Sequence, residues 1–320
     1  MLGEWVQQST IVRRVACQGI GLHSGEEVEI TLSPAAPGSG IVFVALGCDH
    51  RDAGGGSGFE ISACVDAIHS SSRATTLAVA SGANGNEGDP VRQIATVEHL
   101  LATIFAFEID NVRIEVSGSE IPAMDGSASP FVDWLRSAGR IAQTATRDEF
   151  SIDAPIVIRD GERSIRIDPA DELRISYEID FDHPCIGRQS FEVTGLDEKV
   201  FEEELAAART FGFAHEVEAL HRAGLALGGR IENTVVLDDE KVLNAEGLRW
   251  PDEFVRHKIV DLIGDLALLG ARPKAHIQVV RGGHRLHHRM VEALMASRES
   301  PSIARNPRAL APTSTSASDR

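Results

Sequence analysis

The chain has 320 residues, 42% of them apolar, and its 48 acidic against 31 basic side chains give a net charge of −17. That length is more than one hydrophobic core usually fills, so two domains are expected, and no stretch reaches the roughly 18 to 20 apolar residues of a membrane span. The acidic balance, with no basic stripe, excludes a nucleic-acid partner, although a few local Lys, Arg or helix N-termini can still hold a small diphosphate.

At the N-terminus, Met1-Leu2-Gly3-Glu4-Trp5 lacks a basic region followed by an apolar stretch, so a cytoplasmic address without stable membrane insertion is expected. Cys17, Cys48, Cys64 and Cys185 form no CxxC pair and read as thiols of a reducing compartment. Residues 28–32 alternate apolar and polar side chains, as a half-buried strand does. Gly47 to Gly58 and Ser81 to Pro90 are too rich in glycine and polar residues for regular structure and read as loops. A helix is expected to start in Thr96-Val97-Glu98-His99-Leu100, with Thr96 as N-cap and Glu98 and His99 in the first turn. There the helix dipole favours a neutral imidazole, fit to bind a metal, and Glu98 is placed to take a proton from a metal-bound water. Alone, a Glu-His pair says little. Residues 112–116 alternate again, Asp125-Gly126 demands special backbone angles with or without a ligand, and Pro130 to Ala138 is helix-like. The polar stretch Gly139 to Glu149 reads as a boundary.

Residues 164–168 and 173–179 continue the strand series. Thr210, in Arg209-Thr210-Phe211-Gly212-Phe213, either offers its hydroxyl to a developing oxyanion or caps a helix. Phe213, Val217 and Leu220 share a helical face that either packs into the core or borders an apolar passage. The helix from about Asp252 has an apolar stripe of Val255, Ile259, Leu262, Leu266 and Leu269, while His257, Asp261 and Asp265 recur every four residues on another face. An imidazole and a carboxylate at that spacing can share a metal ion, although an isolated pair of this kind is more often a solvated face. In Arg281-Gly282-Gly283-His284 the glycines permit a sharp turn and close approach of a substrate, and His284 is a candidate general acid. His287 and His288 read as solvated helix positions, and the Ser- and Pro-rich tail from about Ser300 is expected to be disordered. Glu98 to Val116 and Phe254 to Val280 each read as a helix then a strand, with His99 or His257 near the helix start. That likeness points to an internal duplication whose halves meet at a cleft.

Taken together, Gly19-Ile20-Gly21-Leu22-His23-Ser24-Gly25, Thr96 to Leu100, Ile121 to Phe131, Arg209 to Phe213, Asn244 to Asp265 and Gly283-His284 resemble the UDP-3-O-acyl-N-acetylglucosamine deacetylases of lipid A synthesis. The resemblance runs from Gln8 to about Ala296. It implies an α+β fold of two similar βα sandwich domains with the active site between them. Residues 1–145 would form the first domain, residues 146–299 the second with an insert for an acyl chain, and residues 300–320 the tail. It also implies Zn2+ on His99, His257 and Asp261, Glu98 as general base, and His284 as general acid beside Asp265. Thr210 would assist the oxyanion, Lys258 would lie near the substrate, and Phe211, Val217 and Gly229 would meet its acyl chain. The implied substrate is a UDP-linked, acylated glucosamine that loses its N-acetyl group. A monomer that touches a membrane surface at most transiently is expected.

Two positions depart from the family pattern: Ala106-Phe107-Glu108 stands where a glycine-bearing turn is usual, and His287 where asparagine is common. Neither removes an inferred metal or acid–base position. A nucleotide-sugar or acyl-chain binding module that has lost catalysis is the competing reading, and joint retention of Glu98, His99, His257, Asp261 and His284 speaks against it. A related zinc deacetylase acting on another acylated amino sugar is not separated by sequence.

Overall fold

The computed structural model describes residues 6–46, 58–71, 73–79 and 92–299. The alternating segments assemble into two large sheets. One holds β1 (Val15–Ile20), β2 (Glu27–Pro34), β3 (Ile41–Ala45), β4 (Phe59–Ser62) and β5 (Val112–Val116), ordered β1-β2-β5-β3-β4. The other holds β6 (Ile156–Asp160), β7 (Arg163–Pro169), β8 (Arg174–Phe181), β9 (Gly187–Thr194) and β10 (Arg272–Val280), ordered β6-β7-β10-β8-β9, with the short strand Glu149–Ser151 also paired to β10. Each central strand, β5 or β10, runs antiparallel to one neighbour and parallel to the other. The chain is therefore α+β, and one strand order with one set of strand directions occurs twice.

A parallel pair needs a crossover connection, and in each half a helix leads into the central strand: α1 (Glu98–Ala106) before β5, and α5 (Glu253–Ala267) before β10. Between them lie α2 (Ser129–Ala138), α3 (Glu198–Glu204) and α4 (Ala214–Arg222), and α6 (His284–Glu299) follows β10. α1 is buried along its whole length and packs against α5. Gly264 makes that approach possible, since a Cβ there would stand 2.1 Å from the Glu98 carbonyl oxygen. The polar face of α5 is not solvated: His257, Asp261 and Asp265 are 2%, 3% and 0% exposed.

Several expectations are corrected. Thr96 is not the N-cap of α1; it has a φ of 58° and donates its hydroxyl to Glu120, while Val97 precedes the helix without a side-chain cap. The same Glu120 carboxylate accepts the backbone amides of His23 and Ser24, tying the turn after β1 to the start of α1. Within the polar stretch after α2, Arg140–Thr146 is a strand paired with Gln7–Ile11. Glu108 takes the left-handed conformation (φ 55°) at the turn that lacks glycine, and Arg281 (φ 52°), not Gly282 or Gly283, takes it after β10. Gly282 is needed for space instead, because a Cβ would lie 2.6 Å from the Tyr177 hydroxyl. Residues 47–57 and 81–90 of the expected loops and the tail 300–320 lie outside the described residues. Among the described residues Cys17, Cys64 and Cys185 are free thiols, and no helix is long and apolar enough to cross a membrane.

Candidate active site

The first turn of α1, the inner face of α5 and the start of α6 border a cavity of about 400 Å³. His99, His257 and Asp261 come from two helices separated by more than a hundred residues, and the α1–α5 crossing brings them together. The Nε2 atoms of His99 and His257 lie 3.6 and 3.3 Å from Asp261 Oδ1, with the two rings edge-to-face at 4.9 Å. Ligands bonded at about 2.0–2.1 Å to a tetrahedral ion stand roughly 3.3 Å apart, so this donor set suits such an ion.

Local bonds prepare each donor. The Nδ1–H of His257 donates to the Ala208 carbonyl at 3.0 Å, which leaves the Nε2 lone pair facing the cleft. Burial pushes His257 down to about 3, so the ring is a neutral donor. Burial acts to raise Asp261, but the Lys258 ammonium, 2.9 Å from Oδ2, holds it well below the usual carboxylate range.

Glu98 and His284 flank this triad. The Oε1 of Glu98 lies 3.9 Å from His284 Nε2, and its Oε2 accepts the Thr75 amide at 3.1 Å. Burial raises Glu98 above its ordinary value despite nearby His284 and His99, which makes it a stronger base than an exposed glutamate. His284 has the opposite balance: burial acts to lower it, but Asp265, 2.7 Å from Nδ1, raises it to about 9. A carboxylate and an imidazole whose environments both raise their affinity for protons thus stand side by side.

Thr210 borders the same cavity, its backbone N–H bonded to Gly126 O at 2.8 Å. The Asp125-Gly126 turn, legible as a turn only, therefore anchors Thr210 just before the short strand Phe211–Phe213; Gly126 has a φ of 83°, and a Cβ would lie 2.1 Å from Asn233 O. Lys258, Phe211 and Phe213 also border the cavity, whereas Val217 and Gly229 do not. α4, which carries Val217, buries none of its residues.

His287 and His288 correct the sequence reading most plainly. They are 0% and 5% exposed rather than solvated, and both bond Asp265. Thr75 and Tyr177, which meet the same cluster, were not singled out in the sequence. The available signal was the i, i+3, i+4 spacing of His284, His287 and His288, which puts three imidazoles on one face of α6.

Residues 8–296 match the protein family described as UDP-3-O-acyl N-acetylglycosamine deacetylase. This chain belongs to that family. A protein of Oleidesulfovibrio alaskensis named UDP-3-O-acyl-N-acetylglucosamine deacetylase is 45% identical over 296 residues, 92% of this chain and 90% of the relative. Proteins of the same name from Nitratidesulfovibrio vulgaris and Myxococcus xanthus are 43% and 42% identical, over 96% and 90% of this chain and 96% and 86% of their own lengths. Membership in this deacetylase family agrees with a buried His/His/Asp group able to hold a metal and with the paired carboxylate and histidine beside it.

Proposed function

We propose that this family member is a zinc-dependent amidohydrolase that removes the N-acetyl group of UDP-3-O-acyl-N-acetylglucosamine, giving UDP-3-O-acyl-glucosamine and acetate, in the cytoplasmic synthesis of lipid A. The observation that carries the reading is the single buried constellation in which Glu98 and His284 converge beside His99, His257 and Asp261. Two imidazoles and a carboxylate form the donor set of many catalytic zinc sites. Zinc held by those three residues would supply Lewis acidity to the hydrolysis.

The remaining work falls to the side chains. Glu98 removes a proton from the attacking water, helped by burial that raises its basicity. Thr210 faces the cavity where a hydroxyl can donate to the developing oxyanion. His284, with Nδ1–H held by Asp265, presents Nε2 to the cavity and protonates the departing amine, without which the C–N bond does not break. Lys258 keeps Asp261 ionised and brings a positive charge to the cleft. Phe211 and Phe213 offer the acyl chain an apolar wall.

The test is zinc analysis of the full chain together with acetate release from UDP-3-O-acyl-N-acetylglucosamine. About one zinc per chain and acetate release abolished by a chelator and restored by zinc are expected. Stoichiometric zinc without acetate release would overturn the substrate, and full activity without any metal would overturn the mechanism.

A further inference from the structure

Asp265 meets more hydrogen-bond donors than the orientation of one histidine requires. Its Oδ2 accepts from Nδ1 of His284 at 2.7 Å and from Nδ1 of His287 at 2.9 Å. Its Oδ1 accepts from the Thr75 hydroxyl and from Nε2 of His288 at 3.2 Å. An ionised carboxylate is an acceptor only, with about four lone-pair sites, and here each has a donor. The carboxylate is 0% exposed, so these bonds stand in place of water.

The proton positions follow from that count. Nδ1 of His284 and of His287 and Nε2 of His288 all face the acceptor and must carry hydrogen. The other nitrogen of His287 then accepts from the Tyr177 hydroxyl at 3.0 Å, and the Nε2–H of His288 is shared with Thr75 Oγ1 at 3.0 Å. Gly282 leaves room for this arrangement, since a Cβ there would also lie 3.2 Å from His287 Nε2.

We propose that His287 and His288 are positioning residues for the reaction. They occupy the lone pairs of Asp265 that His284 and Thr75 leave open, and so hold the carboxylate in the one rotation that grips Nδ1–H of His284. Nε2 of His284 is thereby aimed at the gap between Glu98 and Asp261, 3.9 Å from an oxygen of each. Without the two histidines the carboxylate can turn about its last torsion and the aim of His284 loosens. The inference rests on His284 as general acid, and misplacement by about 1 Å at a reacting group costs on the order of 10²-fold in rate.

Two isosteric amides separate this role from a merely structural one. The side-chain nitrogen of asparagine overlays Nδ1 of histidine, and that of glutamine overlays Nε2. His287→Asn therefore keeps the donor to Asp265 and His287→Gln loses it, whereas at position 288 glutamine keeps it and asparagine loses it. The four full-length, zinc-loaded variants are compared for kcat and KM of acetate release. Metal-free protein with labelled histidine is compared by NMR for the hydrogen-bonded Nδ1–H proton signal that Asp265 gives His284. His287→Asn and His288→Gln are expected to stay near the wild-type kcat. His287→Gln and His288→Asn are expected to lose roughly 10- to 100-fold in kcat at unchanged KM, with the Nδ1–H signal of His284 broadened by exchange. Equal losses within each pair, or the reversed order, overturn the proposal, and the two positions give independent comparisons should one variant fail to fold. A wild-type chain that releases no acetate overturns the substrate reading instead, and the comparison of the His284 Nδ1–H signal then decides the positioning role by itself.

Discussion

Glu98 and His99 are adjacent in the chain yet face different partners, because the first turn of a buried helix points successive side chains about 100° apart. Their proposed roles predict separable losses. Glu98→Gln removes the proton acceptor but none of the metal donors, so kcat should fall about 10²- to 10⁴-fold with bound zinc unchanged. His257→Ala or Asp261→Ala should instead lose the metal, and elemental analysis of the three purified variants distinguishes the two outcomes. Full zinc occupancy in both alanine variants would remove those residues from the donor set. The sequence made these positions visible through the i, i+4 spacing of His257 and Asp261. It gave no sign of the Ala208 carbonyl that fixes the ring of His257, because that contact depends on a chain segment 49 residues away.

At the scale of elements, the α1–α5 crossing decides whether the donors meet at all. Gly264→Ala would drive a methyl group into the Glu98 carbonyl, and rigid helix backbone on both sides leaves the strain to be relieved by separating the helices. A loss of about 1–3 kcal/mol is expected, typical of overpacking, together with weaker zinc binding; calorimetry and competition with a chelator would measure the two effects. An unshifted melting temperature with unchanged zinc affinity would mean that the crossing adapts. α4 behaves differently. Its apolar residues are legible as one face, but the sequence left open whether that face packs into the core, and the helix buries nothing. Val217, 37% exposed, should therefore tolerate glutamate within about 0.5 kcal/mol. If α4 borders the route of the acyl chain, Val217→Glu should slow a long-chain substrate more than a short-chain analogue. Equal rates on both substrates would place the acyl chain elsewhere.

Over the whole molecule, a charged seam joins the two repeated sheets. Arg272 at the start of β10 donates to the Phe105 carbonyl and lies over the Phe105 ring, while Arg147 bonds Asp110 at 2.9 Å and pairs with Glu108 at 3.1 Å. Partial burial acts to raise Glu108, but Arg147 and Arg140 hold it below its ordinary 4.5. A carboxylate depressed in the folded state contributes stability above its unfolded value and loses it as pH falls through the folded one. Stability should therefore decline below about pH 4.5, and Arg147→Ala should lower stability at neutral pH while flattening that decline. Thermal melts of both proteins between neutrality and acid would show it; parallel curves would assign the acid sensitivity to other groups. Glu108 in its left-handed conformation belongs to this seam. No glycine marks the turn in the sequence, because the arginines that stabilise it arrive from residues 140 and 147.

The sequence by itself determined what short-range periodicity and residue chemistry can carry. Alternation at residues 28–32 and 112–116 set strands, the apolar stripe of α5 set a helix, and four-residue spacing put His257 and Asp261 on one face. Order and separation of the motifs also sufficed to bring out the family. Tertiary structure decided which polar groups are buried together. Thr96 bonds Glu120 instead of capping α1, and His287 and His288 meet Asp265 instead of water. Charge and helical spacing look the same on a solvated face as on a buried one. Only the packing of α6 and α5 against the rest of the chain removes the water and leaves the carboxylate as the partner those imidazoles must find.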